Sequence, residues 1–150
     1  MKILALEFSS EQRSVAVVED GTVLGEACEK TGKHTQAFAL MAAALAQAGI
    51  EREQIECVAV GLGPGSYMGT RIAIAIAQGW QLARGVKTAG VSSAEAVARQ
   101  GAEGGPAGPE ARTIARLAHE KQAFVPADTL EPIYSRPANF VKAPPPRTIM

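Results

Sequence analysis

Groups that do chemistry are scarce in this chain. Histidine occurs only at His34 and His119, cysteine only at Cys28 and Cys57, and aspartate only at Asp20 and Asp128. A metal site on a helix wants a second ligand one turn on. Phe38 takes that place after His34, and His119-Glu120 opens like H-E-x-x-H but meets Ala123 at the second histidine position. Ser9, Ser10 and Ser66 have no base and orienting acid near them in sequence. The cysteines lie in apolar runs, far from C-x-x-C spacing, so both are expected as buried, reduced thiols at a cytoplasmic address. Charge of one sign is also lacking: 15 Lys plus Arg balance 15 Asp plus Glu. No global field draws the chain toward nucleic acid or acidic lipid. Long apolar runs are missing too. The opening "MKILALEFSS" breaks at Glu7, too soon for a signal core, and nothing approaches membrane-spanning length. The expectation is a soluble protein without membrane attachment, one ordinary domain in size at 150 residues.

What is present alternates between strand and helix patterns. "KILALEF", "SVAVVED" and "TVLGEACEK" read as strands, the last two joined at Asp20-Gly21, a pair suited to a hairpin turn with positive φ. Thr35 to Ala48 reads as helix closed by Gly49. "IECVAVGL" is a strand apolar enough to be covered on both faces. "SYMGTRIAIAIAQGWQLARG" has an Ile-Ala alternation of period two, but its length and alanine content favour helix. "VKTAGVSS" gives a fifth strand, and Ser92 or Ser93 can cap the helix "AEAVARQG". The order β-β-β-α-β-α-β-α places an antiparallel meander beside parallel crossovers, an α/β layered domain. "GAEGGPAGPE" is a Gly/Pro-rich hinge over residues 101–110, and residues 111–150 hold one more helix before a proline-rich tail.

The stretch "VAVGLGPGSYMGTRIAIAIAQG" invites a phosphate-loop reading. Walker A fails because Thr70 and Arg71 follow Gly69 where Lys-Ser/Thr belongs. The dinucleotide fingerprint fails because Met68 stands at its third glycine, and G-x-S-x-G fails at Pro64. Gly63, Pro64, Gly65, Ser66 and Gly69 therefore form a turn at a strand's carboxyl end. It could hold an anion on helix-start amides with help from Ser66 and Arg71, or serve only to bring the helix close to the sheet. Glu7, at the end of the first strand, is a candidate ligand or cation contact, with Ser9 and His34 beside it on the same short roster; a half-exposed strand-end carboxylate is the plainer reading of Glu7.

The sharper signal is missing charge on two helices. From His34 to Ile50 no residue is charged, and from Cys57 to Gly85 only Arg71 and Arg84 are. A helix that covers one face of a sheet ordinarily carries a polar outer stripe. In the first helix Phe38, Met41, Leu45 and Ala48 line one side, and Ala37, Leu40 and Ala44 another. In the second, Gly69, Ala73, Ala77 and Ala75, Gly79, Ala83 form two small-residue rows around Trp80. A sheet covers one side, and a few hundred Å² of contiguous apolar surface left over is unusual for a monomer. A partner on Phe38, Met41, Leu45, Arg71, Ile72, Ala73, Ile76, Ala77 and Trp80 is expected.

"ILALEFSS", "SVAVVEDG", "KHTQ", the glycine stretch and "GVSSAEAVA", in this order and spacing, closely resemble the TsaB branch of the glycoprotease-like family. The resemblance spans about residues 1–100, and "ARTIARLA" and "EPIYSRP" are similar to the family's last helix and final strand. It implies an actin/Hsp70-like, ribonuclease H-like lobe with a mixed five-stranded sheet and flanking helices, and a reduced second lobe between Gln100 and Arg112. It also implies a role without catalysis of its own in threonylcarbamoyladenosine modification of tRNA. The two uncharged helices would pair with TsaD, the catalytic paralogue, or with a second copy when alone. A TsaE-type ATPase would complete the assembly, ATP and metal would sit on TsaD, and tRNA would be met indirectly. Two departures stand out. Glu7-Phe8-Ser9 replaces the family's Asp-Thr-Ser, and half of the two-lobed nucleotide clamp is missing. A reduced peptidase or nucleotide-binding protein, and a homodimer without a role in tRNA modification, are the alternatives.

Overall fold

The computed structural model describes residues 1–30 and 36–134. Among the described residues five strands form one mixed sheet in the order β3-β2-β1-β4-β5. β1 (Lys2–Glu7), β2 (Gln12–Glu19) and β3 (Thr22–Lys30) are the antiparallel meander, while β4 (Cys57–Gly61) and β5 (Lys87–Val91) add in parallel beside β1. Asp20 and Gly21 make the β2–β3 turn with φ of 48° and 88°, as a hairpin of that type requires. A bulge between Val17 and Val18 places one extra residue, Leu24, on β3.

Side chains alternate along each strand, and this sorts the core into two layers. Leu4, Leu6, Val15, Val17, Val58 and Val60 face one way, under α1 (Ala37–Ala48) and α2 (Tyr67–Arg84). Ile3, Ala5, Ala16, Val18, Cys57 and Ala59 face the other way, under α3 (Ser93–Ala102) and α4 (Ala111–Lys121). β1, β2 and β4 are buried on both faces, which is why they read as nearly continuous apolar runs.

Helix ends obey local chemistry. Ser66 and Ser92 are the N-caps of α2 and α3, their hydroxyls accepting from the amides of Gly69 and Glu95. Gly49 and Gly85 close α1 and α2 in the left-handed conformation, each with φ of 68°. Short 3-10 turns at Arg52–Gln54 and Ala127–Thr129, invisible as periodicity, complete the elements.

Residues after Gly101 are tied into this body. The buried Gln100 side chain donates to the carbonyls of Pro106 and Gly108 and accepts from the Glu110 amide, so it pins the expected hinge at three points. Ile114, Ala115, Leu117 and Ala118 of α4 then seal the second face of the sheet. Of "EPIYSRP", expected as the final strand, residues 131–134 are described and form no strand, and residues 135–137 lie outside the described residues.

One cysteine expectation is corrected. Cys57 is buried, and burial pushes its thiol up to about 12. Cys28 is exposed because β3 is the edge of the sheet and its alternate positions face out. Since the thiolate is the reacting species, native protein at pH 8 should take one equivalent of iodoacetamide, at Cys28, and two equivalents after denaturation. Peptide mapping that finds Cys57 alkylated at the same rate as Cys28 in the native state would contradict this packing.

Candidate partner interface

The glycine turn comes first because it aims α2. Ser9 and Ser66 belong to different strand–loop junctions, yet the Ser66 amide donates to the Ser9 carbonyl at 2.6 Å. Such closeness needs glycine nearby: a Cβ on Gly65 would collide with the Ser9 backbone, and one on Gly69 with Phe8 and Arg13. The Ser66 hydroxyl accepts from the Gly69 amide at 3.0 Å and from the Arg13 guanidinium at 3.3 Å. Arg13 also donates to the Phe8 carbonyl. Desolvation is the main reason its pKa lies below the usual arginine value, with the charges of Glu7 and Glu29 opposing. Gly63 donates to the Ser93 hydroxyl at 3.0 Å. The Gly63, Ser66 and Gly69 amides thus donate within the chain, and the turn's geometry does the mechanical job of seating the helix.

Glu7 is not the half-exposed carboxylate of the plainer reading. It is fully buried, with one oxygen accepting from the Ser9 amide and hydroxyl at 2.7 and 2.6 Å and the other from the Ser93 hydroxyl at 2.6 Å. Three donors satisfy polar oxygens that burial alone would make costly. Ser9 is buried with it, so this pair knots the end of β1 to the start of α3. His34 lies outside the described residues. Among the described residues no group of three or more His, Cys, Asp or Glu side chains is placed to hold a metal ion.

α1 and α2 stand apart over the sheet, and a groove of about 1120 Å³ runs between them. Met41 and Leu45 from α1 and Trp80 from α2 form its floor, each 9% exposed or less. Phe38, 75% exposed, stands at its margin. Ile72 and Ile76 are half-buried in its wall, and Ala75, Gly79 and Ala83 form the small-residue crest of α2. Glu51, Arg52, Glu53 and Arg84 supply a charged end, where Arg84 and Glu53 approach at 3.7 Å.

Three expected contact residues belong elsewhere. Ala73 and Ala77 are fully buried against the sheet, because they share a helical face with Thr70 and Ile74. Arg71 is exposed but sits off the groove, its guanidinium stacked over Tyr67 at 4.4 Å. It lines a smaller hollow with Ala75, Gln78, Leu130 and Tyr134. Of the two small-residue rows in α2, Ala75-Gly79-Ala83 is the outward one. Ala42, Ala46 and Ile50 were missed on the α1 side. Their signal was present as the absence of any charged residue, but an alanine does not announce its direction.

Comparison with known proteins identifies the lineage of this body. A family model described as TsaD: tRNA N6-adenosine threonylcarbamoyltransferase matches residues 14–118. The chain belongs to this family. Among curated relatives, the tRNA threonylcarbamoyladenosine biosynthesis protein TsaB of Escherichia coli strain K12 is 41% identical over 96 residues, 62% of this chain and 41% of that protein. The TsaB of Haemophilus influenzae is 33% identical over 102 residues, 66% of this chain and 42% of that protein. The chain spans about two fifths of the length of these curated relatives. In fold it is similar to the solved YeaZ from Pseudomonas aeruginosa, with a TM-score of 0.76 and 20% identity over 89% of this chain and 99% of that one. The mixed sheet with flanking helices is therefore the TsaD-type, actin-like lobe, as the sequence resemblance implied. No described helix is long and apolar enough to cross a membrane.

The two alanine rows give a direct check. Ala73→Arg buries an unpaired charge in the core and should abolish soluble folded protein. Ala75→Arg points to solvent in the lone chain and should change unfolding free energy by no more than about 0.5 kcal/mol. Thermal melts that rank the two variants the other way would invert the assigned face of α2.

Proposed function

We propose that this chain is a non-catalytic scaffold for a TsaD-type threonylcarbamoyl transferase in cytoplasmic tRNA threonylcarbamoyladenosine biosynthesis, with the transferase docking on the α1/α2 groove. The observation that carries this reading is the apolar trough of Phe38, Met41, Leu45, Ile72, Ile76 and Trp80, left uncovered among the described residues. At about 25 cal/mol per Å², burying a few hundred Å² of apolar surface favours association by on the order of 10 kcal/mol before its costs. The family supplies the occupant. A catalytic paralogue of the same lobe carries its own helix pair in the same place, and two such pairs meet by near two-fold packing, the commonest way that like subunits join.

The chemistry is assigned to the partner. The Gly63, Ser66 and Gly69 amides and the Glu7 carboxylate are engaged within this chain, which supports placing ATP and metal on the transferase. The balanced charge supports an indirect relation to tRNA, and a TsaE-type ATPase is the remaining partner that the resemblance implies. A second copy of this chain competes for the same groove when the transferase is absent.

Co-expression of the tagged chain with its host's TsaD should yield a co-purifying complex. Ala75→Arg and Gly79→Arg sit on the outward crest of α2 and should lower recovery by about tenfold or more, since desolvating one unpaired charge costs at least 2 kcal/mol. Full recovery with both variants, or a chain that elutes as a homodimer and ignores TsaD, would refute the scaffold reading.

A further inference from the structure

Trp80, on the floor of the α1/α2 groove, is 9% exposed, and its indole Nε1 is buried with no hydrogen-bond partner among the described residues. An indole N–H can only donate, and when buried it ordinarily finds an acceptor. The groove residues nearest it on α2, Ile76, Gly79 and Ala83, carry no side-chain oxygen. A charge stands beside this orphan donor. Arg84 follows four residues on, a neighbour across one helical turn, and lines the same groove. Its guanidinium approaches Glu53 at 3.7 Å, a loose pair between two exposed side chains. Such a pair adds little stability, so Arg84 gives it up readily for a better acceptor.

We propose that Trp80 and Arg84 form a receptor for one carboxylate of the docked transferase, an aspartate or glutamate side chain that accepts from the indole N–H and displaces Glu53 from the guanidinium. The inference deepens the scaffold reading and rests on it for the identity of the partner.

Arginine and tryptophan side chains donate and do not accept. Two donors one turn apart suit a group with two acceptor oxygens, and a full negative charge answers the guanidinium better than a peptide carbonyl does. Nε1 is closed to water in the lone chain, so the indole turns as the carboxylate arrives. The groove gives it room: an added Cβ on Gly79 would meet open space, and Ala83 is exposed. The receptor also supplies what the rest of the trough lacks. Apolar burial is non-directional, whereas charged and polar groups fix the register of an interface. One carboxylate held at the Arg84 end decides where along the groove the partner comes to rest.

The host's TsaD is the probe. Trp80 is the single tryptophan, so the isotope-labelled chain gives one indole N–H signal in a nuclear magnetic resonance spectrum. Unlabelled TsaD should move that proton downfield, the direction a new hydrogen bond causes. Trp80→Phe and Arg84→Met should each weaken binding by about tenfold or more. Combined, they should weaken it by far less than the product of the two losses, because both hold one carboxylate. Glu53→Gln removes the competing acid and should tighten binding by about threefold, a gain that a general disturbance of the surface would not produce. Arg84 and Glu53 are exposed, so neither change should move the melting temperature by more than about 2 °C. An indole signal that stays put in a complex that forms, full affinity in Trp80→Phe or Arg84→Met, or losses that simply multiply, would overturn the receptor and leave the scaffold reading standing. A wild-type chain that does not bind TsaD at all would sink that reading, and the receptor with it.

Discussion

Two apolar faces of one sheet must each be covered, and the two coverings end differently at solvent. On one side α3 and α4 lie together and present a polar exterior. Arg99 pairs with Glu120 through both guanidinium nitrogens, and Lys121 reaches Glu95 at 2.6 Å. Exposed pairs of this kind add little stability; what they show is a surface built to meet water. On the other side α1 has no charged residue within its length, and α2 has Arg71 near its start and Arg84 at its end. The same sheet thus carries a finished face and an unfinished one, and the functional reading depends on that contrast.

Much of this was legible in the sequence because the sheet imposes strong patterns. β1, β2 and β4 are covered twice, so their composition alone marks them as interior strands. Asp20-Gly21 and the capping serines are local chemistry that needs no tertiary help. The Ile-Ala alternation of α2 looked like a strand, yet the helix divides the three isoleucines: Ile74 goes to the sheet while Ile72 and Ile76 go to the groove. What could not be read was phase among chemically equal residues. Ala73 and Ala75 differ only in direction, and direction is set by where Ser66 starts the helix. The burial of Glu7 was likewise invisible, since Ser93 joins it from 86 residues away. Cys28 misled because an apolar neighbourhood in sequence becomes an alternating edge in the sheet.

The glycine turn and Glu7 belong to one arrangement. Glu7 holds Ser9 and Ser93, Ser93 holds Gly63, the Ser9 carbonyl holds the Ser66 amide, and Ser66 caps α2. The chain of contacts starts at the carboxyl end of β1 and finishes at the first turn of the helix that forms one wall of the groove. These contacts make the strand ends a bracket for α2.

Sheet geometry explains why the groove is open. α1 rests on β3 and β2, whereas α2 rests on β4 with β1 and β5 beside it. Neighbouring strands are about 4.8 Å apart, so helices centred about two and a half strands from each other stand near 12 Å apart. Close-packed helices approach to about 8–10 Å. The shortfall leaves a trough over β1, floored by Met41, Leu45 and Trp80. Large side chains on the facing helix walls could have filled it. Ala42 and Ala46 on α1, with Ala75, Gly79 and Ala83 on α2, widen it instead. On the opposite face α4 sits centrally over β1 and β2 and touches α3, leaving no comparable gap. The placement of the helices makes a trough, the choice of small residues keeps it open, and the apolar side chains between Phe38 and Ala83 make water a poor occupant away from the charged end.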